Sequence, residues 1–269
     1  MAVLFDQLST RLFKQCFIII ALLPCQFLWA QQLSFSIPKC STNVQIDGDL
    51  SDWKAQALSN GTWNINRVQT FDWFNTKRNK LTLHTGEDTT KTDLAAQYYI
   101  AWTDSHLLLG AEVTDNNTDV SEAHHEPKRW YYKDAIAWFF EIPNDTFPEK
   151  FEEGNHGFAF VADSTYPDYG AWWRHGTSQQ PYLEEPIPAD QVEYTLTFDR
   201  KSASYVLEAK INICDLLNTS ILHAGQSLSM MIVHCDPDGA EYGGHMLIYG
   251  KGDLDSTWSV FTLTDDKDD

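Results

Sequence analysis

The sequence predicts an all-β fold: two antiparallel sheets packed as a sandwich, jelly-roll-like, with long rim loops. Three observations predict it. Short runs rich in Val, Ile, Tyr, Phe and Trp recur along the chain, and such residues suit a pleated, half-buried surface. Polar turn clusters, such as Asp104-Ser105, separate them. Two neighbouring runs, 191–198 and 204–213, alternate apolar and polar residues as the arms of a hairpin do.

Taken in order, residues 1–30 read as an export signal. Arg11 and Lys14 precede the apolar run 17–23, and Leu28-Trp29-Ala30 ends on a small residue suited to cleavage before Gln31. The run is too short to span a bilayer as an ordinary helix. The mature protein is expected to be secreted or periplasmic, clear of the membrane after cleavage. Residues 31–264 then form one domain and 265–269 an acidic tail. Three cysteines remain, Cys40, Cys214 and Cys235; export permits a disulfide, and any pairing leaves one over.

Residues 31–46 read as an extended segment. The Asp47-Gly48 step after it is a turn, and Ser51 or Asp52 caps a short helix. Residues 54–93 lose all periodicity and read as a long loop carrying Trp63, Phe71, Trp73 and Phe74. Residues 95–102 and 106–113 form an antiparallel pair, with Leu107, Leu109 and Ala111 on one face and Leu108, Gly110 and Glu112 on the other. After a polar loop at 114–127, Asp134 opens a strand that runs to Glu141. Its middle, 135–140, is continuously apolar and so buried on both faces. Short strands follow at 157–162 and 170–174. The hairpin 191–213 leads through a helical turn at 214–217 to a buried strand at 227–234, and 246–249 and 258–263 close the sheets.

The chain carries 19 basic and 38 acidic residues, a net charge of −19. That balance repels nucleic acid and anionic membranes and suits an uncharged ligand or locally held cations. No H-E-x-x-H, G-x-S-x-G, C-x-x-C or phosphate-loop pattern occurs. Aromatic residues crowd the stretch before the buried strand, where Trp130, Tyr131 and Tyr132 sit among Arg129, Lys133 and Asp134. Such a mixture resists full burial. A sugar ring packs its C–H patches on flat aromatic faces, and Trp and Tyr supply that area at small entropic cost. Tyr169, Trp172 and Trp173 form a second cluster; in a strand Trp172 and Trp173 point to opposite faces. Acidic turns hold possible calcium ligands, Asp47, Asp49 and Asp52 in one, Asp236, Asp238 and Glu241 in another.

Four motifs stand in a set order. Ile46-Asp47-Gly48-Asp49-Leu50-Ser51-Asp52-Trp53 comes first. Leu107 to Asp115 follows and leads into Trp130 to Glu141. Tyr205 to Ile211 then precedes Ile232-Val233-His234-Cys235-Asp236-Pro237-Asp238-Gly239. This order resembles family 9 carbohydrate-binding modules, within the DOMON-like sandwiches. The resemblance implies a non-catalytic protein that grips a sugar, at a chain end, between two aromatic rings, with structural calcium nearby. It implies Tyr131 as the first ring, or Trp130 one position away, and Trp258 as the second, with Trp172 and Trp173 in reserve. It also implies Asp47, Asp49, Asp236 and Asp238 as calcium ligands and an oligo- or polysaccharide as partner. One position departs from the pattern: Ala137 stands where the family commonly has a second acid. Two other readings stay open. One is an extracellular glycan-active enzyme using a pair among the many carboxylates. The other is a haem-binding electron carrier ligated from Met230, Met231, His245 or Met246.

Overall fold

The computed structural model describes residues 34–40, 44–55, 63–64, 72–75, 80–83, 94–115, 129–142, 154–162, 171–176, 183–199, 204–216, 221–236, 245–248, 250 and 255–265. In chain order the strands are β1 (Ser34–Pro38), β2 (Trp63–Asn64), β3 (Asp72–Asn75), β4 (Lys80–Leu83), β5 (Leu94–Trp102), β6 (His106–Asp115), β7 (Ala135–Glu141) and β8 (Asn155–Val161). There follow β9 (Ala171–His175), β10 (Leu183–Pro186), β11 (Val192–Asp199), β12 (Ser204–Asn212), β13 (Ser227–Cys235), β14 (His245–Ile248) and β15 (Ser259–Thr264). Two short helices, Ser51–Ala55 and Ile213–Leu216, and two 3-10 turns, Trp130–Tyr132 and Asp255–Thr257, complete the described elements. The proposed export signal at 1–30 lies outside the described residues.

Two sheets form the sandwich. The larger runs β1-β15-β13-β7-β8-β9-β10, with β14 also paired to β13; the smaller runs β11-β12-β6-β5-β2. The predicted sandwich is thus present, with three differences. The β1 strand pairs with β15 in parallel. A separate hairpin, β3–β4, and the short β2 occupy part of the stretch expected to be loop. The β10 strand was not anticipated; its Leu-Glu-Glu-Pro sequence has no alternating apolar face to announce it.

The two-residue period decides which side chains meet. Ile136, Trp138 and Phe140 of β7 join Phe158, Phe160, Met230 and Ile232 in facing Tyr98, Ile100, Leu107, Leu109, Leu207 and Ile211 of the smaller sheet. Full burial of each of these large side chains stabilises the fold by about 1.5–3 kcal/mol. Within this core His234 lies between two phenols: Tyr98 Oη meets its Nδ1, and Tyr205 Oη meets its Nε2 at 3.2 Å. Burial lowers the His234 pKa to about 3, so the ring is neutral.

The first motif packs on the smaller sheet's outer face. Leu50 and Trp53 join Tyr99, Ala101 and Leu108 there. The Asp47-Gly48 turn is pinned by Glu208, whose Oε2 accepts the backbone N–H of Asp47 at 2.9 Å and that of Gly48. Gly48 has φ +89°, and a Cβ there would meet Thr197 Oγ1, so only glycine serves.

Candidate functional site

The other side of β7 builds a different surface. Ala135, Ala137 and Phe139 point away from the core, beside Ala159 and Val161 of β8 and Met231, Val233 and Cys235 of β13. Ala137 faces Ala159 across the strands, and Ala159 faces Trp172 on β9. These small residues leave a floor on which rings from other segments can lie. Trp130, Tyr131, Trp172 and Trp258 all pack there, so three distant stretches of chain deliver aromatic side chains to one face.

The 3-10 turn supplies the first rings. Trp130 and Tyr131 meet edge to face at 5.5 Å, and Tyr132 tilts against Tyr131 at 5.0 Å. Trp130 is 3% exposed, whereas Tyr131 and Trp172 are half-buried. Arg174, on the same face of β9 as Trp172, lies over Trp130 at 5.5 Å and Phe139 at 6.0 Å. Its Nε and Nη2 both donate to Glu184 Oε1 of β10, at 2.8 and 2.5 Å. Partial burial, then the Glu184 charge, push the Tyr131 hydroxyl pKa up, so the phenol stays a neutral donor.

Trp258, fully buried, lies against Phe139 at 5.9 Å, while Phe139 is 6.2 Å from Trp130. Sheet order explains the arrangement. Trp258 packs near Met231 of β13, Arg174 of β9 covers Trp130, and β7 runs between. Trp258 and Trp130, the alternative to Tyr131 as first ring, are therefore in one cluster, with Phe139 between them. Phe139, Arg174 and Glu184 were not singled out from the sequence. Arg174 could have been, since it shares the face of Trp172 by simple alternation. Trp173 takes the opposite face. It stacks on Phe158 and on His175, the latter at 3.9 Å, and its Nε1 donates to His156 Nδ1.

Acidic groups from both sheets gather at one end of β7. Asp115 ends β6, Asp134 precedes β7 and Asp236 follows β13; all three are buried, and their carboxylates each bring an oxygen within 4.8 Å of the others. Three carboxylates so close and so buried need compensating positive charge. Hard oxygen donors in such a set fit calcium. Of the ligands expected from the sequence that are among the described residues, Asp236 alone belongs to it. Asp47 and Asp49 are exposed and accept backbone N–H groups of their own turn, from Asp49 and Ser51. Asp238 lies outside the described residues. The sequence reading missed Asp115 and Asp134 because tertiary structure, not spacing, brings them to Asp236: β7 pairs with β13, and β6 comes from the other sheet.

Elsewhere on the larger sheet Ser229 Oγ donates to Glu141, and Asn155 Nδ2 donates to Asp255 at 3.0 Å. The smaller sheet's outer face holds an open groove of about 470 Å³, lined by Gln97, Glu112, Thr114, Thr197, Asp199 and Ser204. Its described walls carry no exposed ring, so the aromatic face is the stronger candidate for sugar. Met230 and Met231 are buried packing residues of the two faces of β13.

The fold has known counterparts. A family 9 carbohydrate-binding module from Caldicellulosiruptor kristjanssonii in complex with cellotriose aligns at TM-score 0.54 and 11% identity, over 87% of this chain and 95% of that one. The structure of such a module from the same organism with glucose aligns at TM-score 0.55 and 11% identity, over 88% and 98%. A third structure, from Bacteroides uniformis ATCC 8492, aligns at TM-score 0.56 and 12% identity, over 86% and 99%. Among curated proteins no relative matches. The model of the carbohydrate family 9 binding domain-like family matches residues 68–259, well over half of the sequence. With both sheets and the aromatic face inside or beside that span, the chain belongs to the carbohydrate family 9 binding domain-like family.

Proposed function

We propose that this protein is a secreted or periplasmic, non-catalytic binder of a neutral oligo- or polysaccharide. The sugar lies on the outer face of the larger sheet, against Tyr131 and Trp172. The observation that carries the reading is the convergence of Trp130, Tyr131, Trp172 and Trp258 on one face beside the Arg174–Glu184 pair. Partly exposed rings give a sugar apolar contact, and a fixed ion pair gives its hydroxyls both donors and acceptors. The rings are held by a rigid sheet, so little entropy is lost on binding. The complexes of structural relatives with cellotriose and glucose support the same ligand class. The net charge of −19 favours a ligand without negative charge. Export is supported by the charged, apolar and small-residue order of 1–30.

Calcium belongs to the same reading. Asp115, Asp134 and Asp236 would hold it. The ion would neutralise their charge and tie together the ends of β6, β7 and β13.

A glycan array probed with the exported protein tests the proposal. It is expected to light up neutral oligosaccharides of one linkage class. Absence of any binding at millimolar glycan would contradict it.

A further inference from the structure

The apolar floor on the outer face of the larger sheet ends abruptly. Ala135, Ala137 and Phe139 of β7 lie there among apolar neighbours from β8 and β13. One step further along, three strands turn polar together: Ser229 of β13, Glu141 of β7 and Asn155 of β8 stand in one cross-strand row. Residues directly opposite each other share a face and hold their Cβ atoms about 5 Å apart. The 3-10 turn Asp255–Thr257 adds Asp255, whose Oδ2 accepts from Asn155 Nδ2 at 3.0 Å. Asn155 and Ser229 are 0% exposed, Asp255 1% and Glu141 4%.

Ser229 Oγ donates to Glu141 Oε2 at 2.6 Å, and the Ser256 backbone N–H donates to Asp255 Oδ1 at 2.5 Å. These donors, like Asn155 Nδ2, are neutral; they satisfy lone pairs without cancelling charge. Because Asn155 Nδ2 is turned to Asp255, its Oδ1, on the other limb of the same planar amide, lies within the same buried cluster. That oxygen has no hydrogen-bond partner. A buried acceptor left unmet is costly, and among carboxylates an electropositive ligand relieves it.

We propose that Glu141, Asn155 and Asp255 form a second cation site, and that it takes calcium. The donors are hard oxygens, from two carboxylates and one amide, a set that calcium accepts in irregular geometry. Magnesium demands a near-octahedral shell and sheds its waters reluctantly, so an enclosed site built from protein oxygens suits it poorly. The site is separate from Asp115, Asp134 and Asp236, because the length of β7 lies between Asp134 and Glu141, roughly 20 Å at the rise of a strand. The ion ties the Asp255–Thr257 turn to β7 and β8. The Asp255 carbonyl accepts the N–H of Trp258 at 2.7 Å, so the same ion steadies the turn that sets Trp258 against Phe139.

Calcium content tests the proposal. Protein stripped with chelator is dialysed against excess calcium, and bound ion is read by atomic emission. Glu141→Gln and Asp255→Asn, each checked for a retained fold, are expected to hold one ion fewer than wild type. Asp134→Asn, which leaves this site untouched, is expected to keep at least one. Folded Glu141→Gln and Asp255→Asn proteins with wild-type calcium content would overturn the proposal. So would a folded Asp134→Asn protein that binds no calcium, a result that needs no change at the site itself. In the Asp134→Asn background, Asn155→Ala is expected to weaken calcium binding at least about tenfold and Asn155→Asp to restore it. Equal binding by Asn155→Ala would remove Asn155 from the site. Displacement of the ion by an equal concentration of magnesium would overturn the assignment to calcium.

Discussion

Phe139 and Gly157 face each other across β7 and β8, and the ring of one occupies the space that a side chain on the other would need. The glycine is required for contact, not for backbone conformation. Gly157→Ala should therefore overpack the face and cost about 1–3 kcal/mol. Urea unfolding of the variant beside wild type measures it. Stability within about 0.5 kcal/mol of wild type would show that the ring has another place to go.

The buried imidazole of His234 sets an acid limit on the fold. Its pKa is about 3 when folded against 6.5 ordinarily, and burial is the cause. The unfolded chain therefore binds more protons between these values, so stability rises with pH through that window and is lost as pH falls. Between pH 7 and pH 5 this one group should remove about 2 kcal/mol. His156, also lowered to about 3, by burial and then by His175, adds a loss of the same sign. Denaturant melts of wild type and His234→Gln at both pH values separate the contributions. The variant should lose less on acidification; an identical loss would remove His234 from the account.

Calcium should raise the melting temperature, because an ion bound only by the native state stabilises it by mass action. At a hundredfold excess over Kd the gain is about 2.7 kcal/mol, or a shift on the order of 5–10 °C for a chain of this size. Asp134→Asn and Asp236→Asn should reduce the calcium response, and Asp47→Asn and Asp49→Asn should keep it whole. Melts in calcium and in chelator that superimpose for wild type would contradict the assignment.

The sandwich was legible because its strongest signals are local. The alternation in 191–198 and 204–211 fixes which side of β11 and β12 is buried, and Tyr205, Leu207, Ala209 and Ile211 do enter the core. The unbroken apolar run around Trp138 marks a central strand, and β7 lies between β13 and β8 with every residue buried. The site was legible as a set of rings, not as a geometry. Charged neighbours pointed to a surface at Trp130, yet its indole is buried beneath Arg174, a residue 44 positions away. Nothing local says that Phe139 will stand between Trp130 and Trp258, since that follows from strand order. Pairing of β7 with β13, and packing of β6 from the other sheet, likewise hide the meeting of Asp115, Asp134 and Asp236. The parallel pairing of β1 with β15 likewise joins the two ends of the domain.

The central claim is that a sugar rests on Tyr131 and Trp172, and a titration of single-ring variants tests it most directly. Calorimetry with the oligosaccharide selected by the array would compare wild type with Tyr131→Ala, Trp172→Ala and Trp173→Ala. Each lost stacking ring removes about 1–1.5 kcal/mol, so Tyr131→Ala and Trp172→Ala should each weaken binding roughly tenfold. Their melting temperatures are read alongside, since both rings are partly buried and pack on the buried residues beneath them. Trp173→Ala should instead leave the affinity of the folded fraction unchanged, because its ring stacks on Phe158 and His175 on the inner face. Unchanged affinity in both Tyr131→Ala and Trp172→Ala, with a folded protein, would contradict the account.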